Sequence, residues 1–243
     1  MMNATQTIAY TAGIPVRYAS IAGLAGVLAL TASPVRTAGA SMPNPATLAA
    51  LEMFLSRSTA VHPYRASRQL EASGSGQRGW LDVHTDLTAA SGLKYEVTAE
   101  GGSGYIRTRV LRSLLNEEQR LIAQGKESTV AISTDNYEFR PEGVNDEGLA
   151  VVSLRPLRRD RSLINGRMFL TILNGDLVRV EGRLAKNPSF WLARVNVVRS
   201  YQRIEGAIMP VSLETDGRLR LLGSSSLRMT YRYWQIDERP VQH

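Results

Sequence analysis

The chain has 243 residues, of which 43% are hydrophobic, 20 are Gly and 10 are Pro, and 29 Lys and Arg stand against 22 Asp and Glu for a net charge of +7. These proportions describe a globular chain of one or two domains and exclude a disordered, collagen-like or disulfide-stapled one. The lack of any Cys excludes a thiol nucleophile, Cys-ligated zinc or iron–sulfur, and a lipidated amino-terminal cysteine.

Residues 1–40 contain Arg17 and Arg36 and no acid. After Arg17 comes an apolar, small-residue run from Tyr18 to Ala32, then Ala38-Gly39-Ala40, the A-x-A form read by signal peptidase. The run is shorter than the ~20 residues that a bilayer span requires. The segment reads as a secretory signal cleaved near Ala40, and the expected location is periplasmic. Residues 41–243 are then expected to form a single domain whose net charge, once the two arginines are gone, is +5. That balance is weak evidence for any partner, and export separates the chain from nucleic acid, which is not an expected partner.

Beyond Pro43 and Pro45, the spacing of Leu48, Leu51, Met53, Phe54 and Leu55 predicts an amphipathic helix within residues 41–60. From Tyr64 the period becomes two. Strands are predicted over Tyr64–Ser73, Arg78–Thr85, Leu93–Ala99 and Gly104–Arg109, with Gly74-Ser75-Gly76 and Gly101-Gly102-Ser103-Gly104 as turns. Leu111, Leu114, Leu115, Leu121 and Ile122 share one face of a second helix that Gly125-Lys126 ends. Further strands are expected over Thr129–Ser133, Tyr137–Arg140, Leu149–Leu157, Gly166–Leu173, Leu177–Leu184, Phe190–Ile204, Ala207–Leu213, Leu219–Leu222 and Leu227–Ile236. Asn174-Gly175-Asp176 and Thr215-Asp216-Gly217 carry hairpin-turn chemistry.

Many strands, few helices and no βαβ units predict an α+β fold: one large curved antiparallel sheet, a half-barrel of roughly 10–12 strands with covering helices. Within Leu177–Leu184 one face carries Val178, Val180, Gly182 and Leu184 and the other Arg179, Glu181 and Arg183. Met168–Leu173 is apolar on both faces and should be covered on both.

A helix after a signal peptide, then Tyr64-Arg65-Ala66-Ser67-Arg68-Gln69-Leu70 and Gly79-Trp80-Leu81-Asp82-Val83, resembles the opening of the outer-membrane lipoprotein-sorting carriers (LolA) and their RseB relatives. Gly175-Asp176-Leu177-Val178-Arg179-Val180-Glu181-Gly182, Trp191, Arg199, Tyr201, Ile204, Gly206 and Met209-Pro210-Val211 are similar to the second half of that fold. The resemblance implies an unclosed half-barrel with a helical lid, whose concave face receives acyl chains.

The strand-borne aromatic and Met positions Trp80, Tyr95, Phe169, Trp191, Met209, Met229, Tyr231 and Tyr233 are the candidate lining of such a hollow, roughly half of them being expected to face inward by the period-two rule. Arg155, Arg158, Arg159 and Arg161 form a candidate basic docking patch, against which stands the plainer reading of a solvated turn. Asp82, His84 and Asp86 alternate onto one face, but ordinary polar alternation spells the same pattern, so no metal is expected. A triad of Ser103, His84 and Asp82 lacks a nucleophile elbow, and Gly101–Gly104, read as a flexible hairpin, lacks the helix that a phosphate cradle needs. The expected function is therefore a non-enzymatic periplasmic carrier or binding protein for lipid or lipoprotein acyl chains, with no cofactor. The alternative is an RseB-like envelope-stress module that senses lipid and docks on a membrane-bound partner.

Overall fold

The computed structural model describes residues 44–57, 61–186, 192–219 and 224–242. The candidate signal segment, Trp191 and all but the first residue of the expected strand Leu219–Leu222 lie outside the described residues. Helix α1 (Pro45–Leu55) begins where the Asn44 side chain accepts from the Ala46 amide at 2.9 Å and Pro45 occupies the first turn. Strands β1 (Tyr64–Gly74), β2 (Gln77–Thr88) and β3 (Gly92–Gly102) follow as a meander. Helix α2 (Arg112–Ala123) leads to β4 (Tyr137–Val144), β5 (Leu149–Pro156), β6 (Ile164–Thr171) and β7 (Leu177–Leu184). Next come β8 (Leu192–Ile204), β9 (Ala207–Leu219), β10 (Ser224–Ile236) and the short β11 (Arg239–Pro240). No described helix is long and apolar enough to cross a membrane.

All the strands belong to one antiparallel sheet in the order β3-β2-β1-β10-β9-β8-β7-β6-β5-β4, with β11 pairing the end of β10. β3 and β4 are its two edges, so the sheet is open, as the predicted fold class requires. Extra residues at Thr98, Glu142, Val178, Val211 and Trp234 interrupt the registers between strand pairs. Each such bulge bends its strand and raises the local twist, which is how a wide sheet curls without closing. At Val178 the bulge changes the expected alternation, so that Leu177 stands opposite the buried Leu170 and Val178 is the extra residue.

One face of the sheet carries the helices. α1 packs on β4, β5 and β6, where Ala50 and Leu51 join Val152, Leu154, Met168, Leu170 and Val180. The segment around α2 covers the other half, where Ile106, Leu111 and Leu115 pack on Leu70, Leu81, Val83 and Met229. The opposite face is ruled by ion pairs such as Arg65–Asp86, Arg167–Glu142, Arg179–Glu147 and Arg228–Glu214. Exposed pairs of this kind add little stability, but they keep that face wetted.

Three local expectations change. Gly104–Arg109 is not a strand: Ile106–Leu111 forms π-helical turns that run directly into α2, with the wide turn burying both Ile106 and Leu111. Gly101–Gly104 therefore opens a helix and does not link two strands. Thr129–Ser133 is a 3₁₀ turn and loop, since Asn136 Nδ2 donates to the carbonyls of Ser128 and Ala131 and folds the segment on itself. Thr215-Asp216-Gly217 lies inside β9, with Gly217 paired to Ser225 and Val195, because both neighbouring strands continue past it. By contrast, Gly125 ends α2 at φ 61° with Lys126 N–H donating to Leu121 O, a Schellman closure.

Gly175 ties the sheet to α1. It adopts φ 61°, and a Cβ there would stand 2.5 Å from Ala50 O and 2.9 Å from Met53 Cβ. Gly175→Ala should cost about 1–3 kcal/mol through backbone strain and overpacking. Urea unfolding, together with faster amide exchange confined first to residues 45–55, checks this.

Candidate functional site

The helix-bearing face is the candidate site, and the register decides which predicted residues reach it. Tyr95 pairs with Thr85, faces α2 and donates its hydroxyl to Asn116 Oδ1 at 2.6 Å. Met229 is buried among Leu70, Leu81 and Leu115. Met209 and Tyr233 are buried beside Ala66 and Ala207, with Tyr231 packed against the same cluster. The Tyr231 and Tyr233 rings stack at 5.9 Å, and Tyr233 donates to Pro210 O at 2.7 Å.

Two predicted residues lie on the opposite face. Trp80 is 37% exposed and alternates with the buried Gly79 and Leu81. Phe169 pairs with Arg179, whose guanidinium carbon sits 4.2 Å from the ring centroid. Phe169 thus finds its outer cover in a cation–π contact, while Leu173, beyond the end of β6, is 86% exposed, so the expected cover of Met168–Leu173 on both faces holds only within the strand.

Residues that the pattern analysis did not select stand at the centre of the helix-bearing face. Arg68, between the buried Ala66 and Leu70 on β1, is 1% exposed. Its Nη1 lies 2.6 Å from Glu118 Oε2 and its Nη2 3.1 Å from Glu118 Oε1, so a carboxylate on α2 meets it bidentately. Arg68 also donates to the Tyr64 hydroxyl and stands 4.7 Å from the Tyr231 ring centroid. Arg199 enters the same group from β8, between Val180 and Leu213 in register, with its guanidinium 5.5 Å from the Tyr201 ring. Burial pushes the Tyr64, Tyr231 and Tyr233 phenols above their ordinary range, so they remain neutral hydroxyls. An Arg at an inward register position, flanked by apolar residues two before and two after, was the available signal.

α1 is fastened separately. Asp176, 7% exposed at the turn before β7, accepts from Arg203 Nε at 2.8 Å and pairs with Arg57 Nη1 at 2.8 Å, while Arg57 also donates to Gly175 O at 3.1 Å. Thr47 Oγ1 donates to Gly143 O at 2.9 Å near the other end of the helix.

The four arginines of the basic cluster differ in their local contacts. Arg158 Nη1 donates to Asn136 Oδ1 at 2.6 Å, and its other nitrogen reaches Thr129 O, so it organises the loop before β4. Arg155 pairs with Glu138 at 3.6 Å across the β4–β5 ladder. Arg161 also makes contacts within the protein, and Arg159 is exposed. His84 stacks edge-on to Trp234 at 5.1 Å, and no group of three or more ligating side chains occurs among the described residues.

No family model matches the chain, and no curated protein matches it. Among solved structures it is similar to a DUF1329 family protein from Desulfovibrio piger, at 9% identity over 77% of this chain and 90% of that one, with a TM-score of 0.37. It is also similar to a LolA superfamily protein from Nitrosomonas europaea, at 12% identity over 81% of this chain and 94% of that one, with a TM-score of 0.35.

The fastening of α1 should depend on pH. Hydrogen bonds from Arg203, helped by the charges of Arg203 and Arg57 and opposed by burial, hold the Asp176 carboxyl below its ordinary 3.8. A depressed carboxyl contributes its full stabilisation above the unfolded value and loses it as pH falls through the folded one. Protection of the α1 amides should therefore fall as pH drops below 3.8. In Asp176→Asn, hydrogen exchange should show α1 already weakened at pH 7, with that acid-dependent step gone.

Proposed function

We propose that the protein is a non-enzymatic carrier or binding protein that shields the acyl chain of a lipid or lipoprotein against the helix-bearing face of the sheet, and that it works in the periplasm after export. The observation that carries this reading is the way the apolar face is covered. α1 and α2 lie on opposite halves of an open sheet, each held by its own polar fastening, Asp176 with Arg57 for one and Arg68 with Glu118 for the other. A core built only for stability is served by permanent apolar contact. Here each helix adds a charged fastening to its buried apolar contacts, and parting from the sheet is the motion that this reading requires of them.

The cover itself has apolar residues to offer a chain. On α1, Leu48 and Leu55 are each 37% exposed, although Leu51 between them is buried. If α1 lifts, the surface uncovered includes Val152, Leu154, Met168 and Leu170. Taking a sixteen-carbon chain out of water is worth about 0.8 kcal/mol per methylene, roughly 12 kcal/mol in all, enough to offset the parting of one short helix.

Native mass spectrometry of the protein recovered from the periplasm, with organic extraction, is expected to show a stoichiometric lipid or acylated peptide. A variant lacking residues 45–55, shown by circular dichroism to keep its sheet, should take up or release a fluorescent fatty acid differently. A clean apo mass with no uptake of the fluorescent fatty acid would overturn the reading, as would unchanged binding and release without α1.

A further inference from the structure

Two guanidinium groups stand on the apolar face, and the carboxylate beside them already serves one. Glu118 meets Arg68 bidentately. Arg199 has no such acceptor among the described residues: its Nε is buried and unpartnered, and the contact it makes is with the Tyr201 ring. Arg199 is partly buried, so its guanidinium has lost water at Nε without gaining an acceptor there, and cation–π attraction supplies only part of what hydration gave. The neighbouring phenols cannot act as that anion, because burial keeps Tyr231 and Tyr233 protonated. They can only donate or accept as neutral hydroxyls. Apolar residues flank the group on both adjacent strands, Val180 on β7 and Leu213 on β9.

A positive group without an acid of its own, beside the Tyr201 ring and bordered by apolar strand positions, matches a molecule with an anionic end and a hydrocarbon body. We propose that Arg199 receives the carboxylate or phosphate oxygen of a single-chain anionic amphiphile, and that Tyr201 and Tyr231 border that head group while the chain runs along the apolar face. This rests on the acyl-chain reading above and adds the charge of the ligand to it. Glu118 is then an internal competitor. It neutralises Arg68, and its charge also acts on Arg199, so it opposes a second anion nearby.

The test uses the whole protein and four probes, dodecanoate, dodecyl phosphate, dodecanol and inorganic phosphate, with dissociation constants measured by titration at neutral pH. Dodecanoate and dodecyl phosphate should bind roughly tenfold or more tightly than dodecanol, the range of one charge-assisted hydrogen bond. Arg199→Gln should bring the three to within about twofold of one another, by loss of the charged partner. Glu118→Gln keeps an oxygen on Arg68 but removes the negative charge, and it should tighten dodecanoate several-fold while leaving dodecanol unchanged. A misfolded variant could not produce that gain.

Equal binding of dodecanol and dodecanoate by the unaltered protein, or an anion preference that survives in Arg199→Gln, would overturn the head-group assignment and leave the acyl-chain reading standing. Failure of all three amphiphiles to bind would overturn both. Inorganic phosphate binding as tightly as dodecyl phosphate would mark a site for free anions and overturn the amphiphile.

Discussion

An open antiparallel sheet with one apolar face has to be covered, and the rest of the molecule follows from how little helix is available to do it. A closed barrel would bury that face against itself. Here β3 and β4 remain separate edges, so the task falls to α1 on one half and to the π-turn and α2 on the other. The bulges between strands curl the sheet around these helices, and the outer face, with its crossed ladder of Arg and Glu, can stay wet.

Within that apolar face the charged residues are the costly elements, so their placement carries meaning. Arg68 could be replaced on packing grounds by an aliphatic residue, and buried ion pairs are often no more stabilising than such a replacement. What the pair with Glu118 provides is direction: it holds one face of α2 toward β1. The tyrosines around it spread the field of both arginines over neutral rings and hydroxyls, making the centre of the face polarizable where its flanks are purely aliphatic.

Much of the fold could be read from period-two alternation, because most strands are wetted on one side. Leu177–Leu184 was assigned with its true bounds, and Asn174-Gly175 was recognised as a turn from its chemistry. The errors have local causes. Asp216-Gly217 has the spelling of a hairpin, but both adjacent ladders pair straight through it, so tertiary pairing overrode turn propensity. Gly104–Arg109 is too short to show a helical period, and its π geometry blurs it further. The period-two rule expects only about half of the strand-borne aromatic and Met positions to face inward, and Trp80 and Phe169 are among those on the other face, where Arg179 covers the Phe169 ring. Arg68 and Arg199 are the converse case, since a charged residue on an alternating strand ordinarily marks the outer face. The partner of Arg68, Glu118, comes from a helix many residues away in sequence, which no strand pattern could indicate.

The strand order has a further consequence. β1, the first strand of the described residues, is held between β2 and β10, and β10 is the last long one. The early meander and the later run of strands are each contiguous in sequence, and the ladder between β1 and β10 is the seam that joins them. Such distant pairing is slow to form because the intervening chain must lose its freedom first. Until the carboxy-terminal strand is present, neither half can complete the sheet, and Arg68 on one side of the seam cannot meet Tyr231 on the other. The polar cluster therefore assembles only when the whole chain is in place, which makes it a marker of completed folding.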